Sequence, residues 1–576
     1  MCYNEKFFGD LMKVLTKIFC FTLIISVCFN LSGCGDEPVK EKVESNTKPK
    51  VLATLKSNYS MEVPPVELNY ESSVPKAQKQ ARVMYVMDEP NSFSEKLTIA
   101  TLQGIIANVS DEQIFINNGG YSKYSKYIQE EYDCLTPTMI DGKAATVSSA
   151  LKHFKKYLSG YILCSDDSNS ESGSVAVSLA GILNAVVVTP KNEKVCKELN
   201  LKCLLDVSKK NDNWLRSSQY WNKLNKDVAV EQPLNMAPKL VDYAVMAKAY
   251  FSFYNGKKAA EHSKKYEFLN DGGFIFGYNN VLGEFDTVNS ISKQNLQLIP
   301  SDHAYNLSTL SGFKADTIKQ KEFDYNLDGN NKHTVCIMMS DGDNVQWILN
   351  DFATSNKWYG NANRGKINLG WGIAPTAIDL IAPMNAYLFD NMAAGDEFVA
   401  QLSGLGYTFP SRWNQSERKS MAAKLSEYMF RTNVKYAEIL DDAGMKKDVL
   451  SDFTEQKYIK GLFYIDYANY AGNKGDIIWT NNKPTVSAKY RLWAGIDDGS
   501  IKKIASKINN TSTDPKNKNS YSFIIVHAWS GLNGDKLVAN GNTMDAVKKL
   551  IDSFDDDVEV VTPSVFMDRI VSNDVK

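Results

Sequence analysis

The sequence predicts an α/β protein, with small Rossmann-like βαβ domains in front and a C-terminal (β/α)8-like barrel behind. Three observations predict it. From Arg82 to about Gly312, short apolar strands alternate with helically spaced segments. From His333 onward, eight apolar strand candidates recur with about 20 to 30 residues between them, room for a loop and a helix each. Those strands also divide into an apolar and a polar face.

The first 36 residues predict export. Lys13 and Lys17 give a positive start, Ile18 to Phe29 is an almost unbroken apolar run too short to span a bilayer, and Leu31-Ser32-Gly33-Cys34 follows. Small residues before a cysteine give a signal peptidase access to the backbone. The four residues resemble the lipobox of bacterial lipoproteins, which implies lipidation of Cys34, membrane attachment through that lipid anchor and an extracytoplasmic location. Met12 is the expected start, because Met1 to Leu11 adds Glu5 and Asp10 where a signal needs positive charge. Residues 1–34 are thus read as signal peptide. Residues 35–80, poor in large apolar side chains, are read as a disordered tether. As a coil of roughly 46 residues it would average about 40 Å end to end.

Residues 81–145 and 146–212 are read as the first and second N-terminal α/β domains, and 213–325 as a third segment. Val83 to Met87 is a strand, Ser94 to Val109 a helix and Gln113 to Ile116 a strand. The rhythm recurs at Gly160 to Cys164, Gly173 to Leu183 and Ala185 to Val188. Phe274 to Tyr278 forms a strand of the third segment, with Asp302-His303 in a later loop. Neither a Gly-x-Gly-x-x-Gly fingerprint nor a P-loop occurs. With a net charge of -2 and no basic block, nucleic acid is not an expected partner. Cys134, Cys164, Cys196, Cys203 and Cys336 lack metal-ligand spacing and read as buried small hydrophobes, a disulfide among them remaining open.

No cofactor is expected to be required. A structural calcium is one reading of Asp324, Asn326 and Asp328, whose oxygens at alternate positions before Gly329 match the front half of a calcium loop. Val335 stands where such a loop would place glutamate, and a polar interdomain turn is the other reading.

Residues 326–576 form the predicted barrel. The strand candidates are Thr334–Ser340, Ile367–Gly372, Phe398–Ser403, Val434–Leu440, Leu462–Asp466, Tyr490–Ala494, Ser522–Ala528 and Val558–Thr562. A seven-stranded or distorted barrel fits nearly as well. Alternation puts Gln401 and Ser403 on the axial face of strand three, Tyr436 and Glu438 on that of strand four, and Tyr464 and Asp466 on that of strand five. Arg491 and Trp493 follow on strand six, and His527 and Trp529 on strand seven. Asp341 and Asp343, with Asn344 beside them, end strand one. A barrel interior that is only packed uses branched apolar residues, so this polar face is either a paired network, such as Glu438–Arg491 or Asp466–Arg491, or a working site.

Several carboxylates among tryptophans suit glycoside hydrolysis: one carboxyl protonates the leaving oxygen, another attacks or activates water, and rings stack on sugars. Asp343 and Asp466 are the first expectations for these roles, with Glu438 and Asp341 in reserve. Asn344, Gln401, Tyr407, Tyr464, Arg491, Trp493, His527 and Trp529 are expected to bind substrate. No Gly-x-Ser-x-Gly elbow or His-x-x-x-His pair occurs. A metal held by Asp341, Asp343 and His527 is a further alternative, as is glycan binding without turnover.

After strand three the chain reads Gly404-Leu405-Gly406-Tyr407-Thr408-Phe409-Pro410. This resembles the signature heptapeptide of the GxGYxYP family of glycoside hydrolases, and Ser340-Asp341-Gly342-Asp343-Asn344 also resembles that family. The resemblance implies sugar processing and a carbohydrate substrate, but brings no catalytic residues with it. Phe409 replaces the second tyrosine of the motif. Gly404 and Gly406 are expected to permit a tight turn with positive φ, with Tyr407 at the barrel mouth.

Overall fold

The computed structural model describes residues 71–576 except 118–121, 169, 234–237, 280, 315–317, 326, 328–330 and 473. Cys34, Asn326 and Asp328 therefore lie outside the described residues. The tether expected to reach Gln80 has already ended by Ser72. The Ser72 hydroxyl donates to Asp379 at 2.9 Å, Tyr243 donates to the Pro75 carbonyl at 3.0 Å, and Val74 and Ala77 are buried.

Among the described residues, the N-terminal side holds three parallel sheets and a short antiparallel hairpin, Met139–Ile140 with Lys143–Ala144. Val83–Asp88 pairs with Glu112–Asn117. Gly160–Leu163 lies between Ala185–Val188 and Cys203–Asp206. The third sheet runs Gln297–Ile299, Phe274–Phe276, Val228–Glu231, Tyr250–Ser252. Helix Phe93–Ile106, capped by the Ser92 side chain, packs so tightly on helix Val241–Met246 that a Cβ at Gly104 would meet the Asp242 carbonyl at 2.3 Å. The five cysteines among the described residues are free; Cys203 is exposed, unlike the other four, because its strand is the sheet edge.

The C-terminal region is a large curled sheet, parallel except for one hairpin. Its strands run in sequence from His333–Met339 through Leu369–Ile373, Asp396–Ala400 and Tyr436–Asp441 to Gly461–Asp466. Lys483–Ser487 then pairs with Gly461–Asp466, and Tyr490–Leu492, just beyond it, pairs with Tyr521–Val526, which pairs with the first strand. Two departures from eight regular units stand out. Ile477–Thr480 turns back onto Lys483–Ser487 as an antiparallel hairpin through Asn481 and Asn482, both at positive φ. The last strand, Val558–Val561, does not sit between the seventh and the first. It pairs with His333–Cys336 while Tyr521–Val526 pairs with the same stretch, so the two flank it, and Asn368 donates to the Val560 carbonyl at 2.9 Å. The final helix, Pro563–Ser572, follows immediately. Phe566 contacts Phe463 and Tyr521, and the Ser564 amide donates to buried Glu397 at 2.8 Å.

Register corrects one face. Glu438 pairs with Phe463, and Asp441 with Asp466. Paired residues of parallel strands share a face, so Phe463 points inward with Glu438 and contacts Phe523, their ring centroids 4.9 Å apart. Tyr464 and Asp466 take the opposite face, one residue out of step with the sequence expectation.

Candidate active site

The site forms where the first strand ends. Asp341 takes a positive φ of 67° after His333–Met339 and accepts a hydrogen bond from the Ser340 hydroxyl. The Asp341 carboxyl is half-buried; Asp343, in the turn that follows, is 5% exposed. Gly342 makes the turn possible: a Cβ there would lie 2.0 Å from the Gly372 carbonyl of the next strand.

Gln401 ties this turn to Glu438. Its amide oxygen accepts from the Gly342 amide at 2.9 Å, and its nitrogen donates to Met339 O at 3.1 Å and to Glu438 Oε2 at 3.0 Å. Burial, then the Asp341 charge, pushes the Asp343 carboxyl up to about 8. Burial does the same to Glu438, to about 8; the Gln401 hydrogen bond opposes it and the charges of Asp343 and Asp341 add to it. Both therefore hold protons at neutral pH.

A third carboxyl arrives from the N-terminal side. Glu284 opens helix Glu284–Ser292, just after the third sheet's strand Phe274–Phe276, and accepts a hydrogen bond from the Tyr407 hydroxyl at 2.7 Å. Burial raises its pKa, the Tyr407 bond lowers it, and the Asp341 charge raises it. Around these groups stand Tyr278 and Tyr470, both raised by burial and then by the Glu284 charge. Asp302, in the loop noted from sequence, accepts from Gln346 at 2.9 Å, and burial lifts it to about 6. The sequence reading gave no role to Glu284, Tyr278 or Tyr470. The signal was present: in α/β sheets, ligands gather beyond the carboxyl ends of strands, and Gly277 to Glu284 follows such an end.

The aromatic side of the mouth is Trp493 stacked on His527, with Tyr470 edge-on to Trp493 at 4.7 Å. His527 Nδ1 lies 2.9 Å from the Ser530 hydroxyl; burial lowers its pKa against the pull of Asp341. Asn344 stands just before the short helix after the turn, and its side chain turns back to donate to the Asp341 carbonyl at 3.2 Å.

Other expected site residues make their side-chain contacts outside this carboxyl cluster. The Asp466 carboxyl caps its own loop, accepting from the Ala468 amide at 3.0 Å. Tyr464 is 1% exposed and donates to the Asp441 carbonyl at 3.3 Å. Arg491 pairs with neither Glu438 nor Asp466; it donates to Asp498 at 3.2 Å and to the Asn469 carbonyl. Trp529 packs on Trp347 and Trp358. Among the described residues, no group of three His, Cys, Asp or Glu side chains is arranged to hold a metal ion, Asp341, Asp343 and His527 included.

The heptapeptide is a seam. Tyr407 and Leu298 exchange both backbone hydrogen bonds, at 2.9 and 2.7 Å, joining the edge of the third sheet to the C-terminal region. The Gln297 side chain accepts from the amides of Leu405 and Gly406 at 2.8 and 3.1 Å. Neither Gly404 nor Gly406 has the expected positive φ. They are needed for approach instead: a Cβ at Gly404 would lie 2.7 Å from Gln297 Oε1, and one at Gly406 2.7 Å from the Leu298 carbonyl. Phe409 is fully buried against Phe285 and Tyr467, where a second tyrosine hydroxyl would have to find a partner.

Comparison with known proteins agrees with this division. Residues 331–571 match the "GxGYxYP putative glycoside hydrolase C-terminal domain", and 82–156, 158–224 and 225–312 match the first, second and third N-terminal domains of the same family. A crystal structure described as a "putative hydrolase" from Bacteroides thetaiotaomicron VPI-5482 is similar at a TM-score of 0.76 and 27% identity, over 86% of this chain and 96% of that one. No curated protein matches the chain.

Proposed function

The chain belongs to the GxGYxYP family, and from that premise we propose that it hydrolyses glycosidic bonds, with Asp341 as the carboxylate that meets the sugar. One observation carries the reading: Asp341, half-buried at the sheet's mouth, has two carboxyl neighbours, Asp343 and Glu438, that keep their protons to about 8. Glycoside hydrolysis needs carboxyls of unlike protonation in one site. Held protonated by burial, these two acids form a floor that adds no charge of its own at neutral pH.

The Trp493–His527 stack supports a carbohydrate substrate, since a flat aromatic wall beside carboxyls fits the apolar face and hydroxyl rim of a sugar. The lipobox-like Leu31 to Cys34 supports action on extracytoplasmic glycans by a membrane-tethered protein. Asp341→Asn in the full chain, assayed for turnover on a panel of oligosaccharides and polysaccharides, tests the reading. A loss of at least about 100-fold with an unchanged melting temperature is expected. Full turnover by the variant, or none by the parent on any glycan, rejects it.

A further inference from the structure

We propose that Glu284, supplied by the third N-terminal domain, is the proton donor to the glycosidic oxygen, and that the signature tyrosine Tyr407 is its positioning residue. The assignment rests on the glycoside-hydrolase reading and adds that the active site is composite: it does not exist until two domains meet.

Access argues first. Asp343 and Glu438 hold protons but are 5% and 2% exposed, and Glu438 is engaged by Gln401. A leaving-group oxygen needs a donor it can touch, within about 3 Å. Glu284 is half-buried at the mouth and lies near enough to Asp341 and Asp343 for each charge to act on the others. It approaches from a different domain than Asp341, so a sugar between them would have carboxyls on two sides, the layout that acid-assisted cleavage requires.

Positioning argues second. Tyr407 is 5% exposed, and its backbone is locked to Leu298 on both sides. Its hydroxyl fixes Glu284 Oε1, leaving the second oxygen free of that bond to carry the proton. The close approach required of Gly404 and Gly406 serves the same end, because it sets the distance between Tyr407 and the helix that begins with Glu284.

In the step, the Glu284 O–H passes its proton to the glycosidic oxygen as the bond from that oxygen to the anomeric carbon breaks. The leaving sugar departs as an alcohol. Water supplies the hydroxyl that ends on the anomeric carbon, and its remaining proton returns to the carboxyl pair. One water is consumed, and the enzyme is restored.

Leaving-group chemistry tests this in the full-length protein. Glu284→Gln is expected to lose about 10²–10⁴-fold on oligosaccharides, whose leaving alcohol needs a proton, yet to stay within about tenfold of the parent on glycosyl fluorides, whose leaving group needs none. Equal losses on both, or no loss on either, overturn the assignment. Tyr407→Phe is expected to keep the fold and to move the limb of the pH–rate profile set by Glu284 toward higher pH, because a bond that holds the carboxylate form is gone. An unmoved limb overturns the positioning role even if the glutamine variant fails to fold. Should Asp341→Asn abolish turnover while Glu284→Gln retains it, only the donor assignment fails; a parent inert on every glycan rejects both.

Discussion

Trp493 and His527 lie face to face, their ring centroids 3.9 Å apart and their planes 3° from parallel. Because burial lowers the His527 pKa, the imidazole beneath the indole is neutral at pH 7 and the contact is ring on ring. The stack holds the indole upright as a wall of the mouth. Trp493→Ala is expected to raise KM about five- to tenfold, near 1 kcal/mol of lost stacking, with a smaller change in kcat. A change confined to kcat would show that the wall does not bind sugar.

Asp466 and Asp341 offer a contrast. Asp466 caps its own loop on the outer face of its strand. Asp466→Asn can still accept from the Ala468 amide, so its kcat/KM is expected within about threefold of the parent, while Asp341→Asn loses at least about 100-fold. Parallel rate measurements separate the two.

The floor carboxyls make stability depend on pH. Asp343 and Glu438 have folded pKa values near 8, above those of the unfolded chain. Their contribution is fully present below about pH 4, where both states are protonated, and is lost as pH rises to 8 because only the unfolded chain ionises freely. Asp343→Asn, which cannot ionise, is expected to melt at a higher temperature than the parent at pH 8, with the gap closing toward pH 4. Melting curves across this range check it; a constant gap contradicts it.

Gln401 satisfies three groups at once. Gln401→Leu leaves the Gly342 amide, the Met339 carbonyl and Glu438 without that partner. Unmet buried groups cost about 1–3 kcal/mol each, so a loss of several kcal/mol in denaturant unfolding is expected. Gln401→Glu, which keeps the shape and can donate when protonated, is expected to lose less at pH 5 than at pH 8.

At the seam, Gly406→Ala places a Cβ 2.7 Å from the Leu298 carbonyl. The two backbone bonds between Tyr407 and Leu298 must shift, at a cost of about 1–3 kcal/mol. Activity is expected to fall further than the lost stability alone explains, since Tyr407 moves with the seam. An alanine variant of parental stability and rate would refute the close-approach account.

Long strands with clear alternation were legible in the sequence. His333–Met339, Tyr436–Asp441 and Tyr521–Val526 each agree with their expected spans to within a few residues. The three- and four-residue strands Tyr250–Ser252, Gln297–Ile299 and Val228–Glu231 were not, because periodicity has no meaning over so few positions. Lys483–Ser487 was hidden by Pro484, which reads against a strand but here faces the short antiparallel hairpin arm. Within the site, Asp341, Asp343, Glu438, Gln401, Trp493 and His527 could be found by strand parity alone. Asp466 was misplaced because parity alone does not say which of a strand's two faces is inward; the register with Tyr436–Asp441 does. Glu284 was invisible for another reason: it reaches the site across a domain boundary, and no local pattern encodes that meeting.

The pairing of the first strand has a kinetic consequence. His333–Met339 is buried along its whole length, yet its partners at Tyr521–Val526 and Val558–Val561 are made roughly 190 to 220 residues later. At about 5–20 residues per second, a ribosome takes on the order of 10–40 s to supply them. Until then only Met338 and Met339, at its end, have a strand partner, in Leu369–Ile373, and the rest of an apolar, β-prone segment waits unpaired, the kind of stretch that aggregates. Recovery after refolding is therefore expected to fall as protein concentration rises, because of where this one strand finds its neighbours.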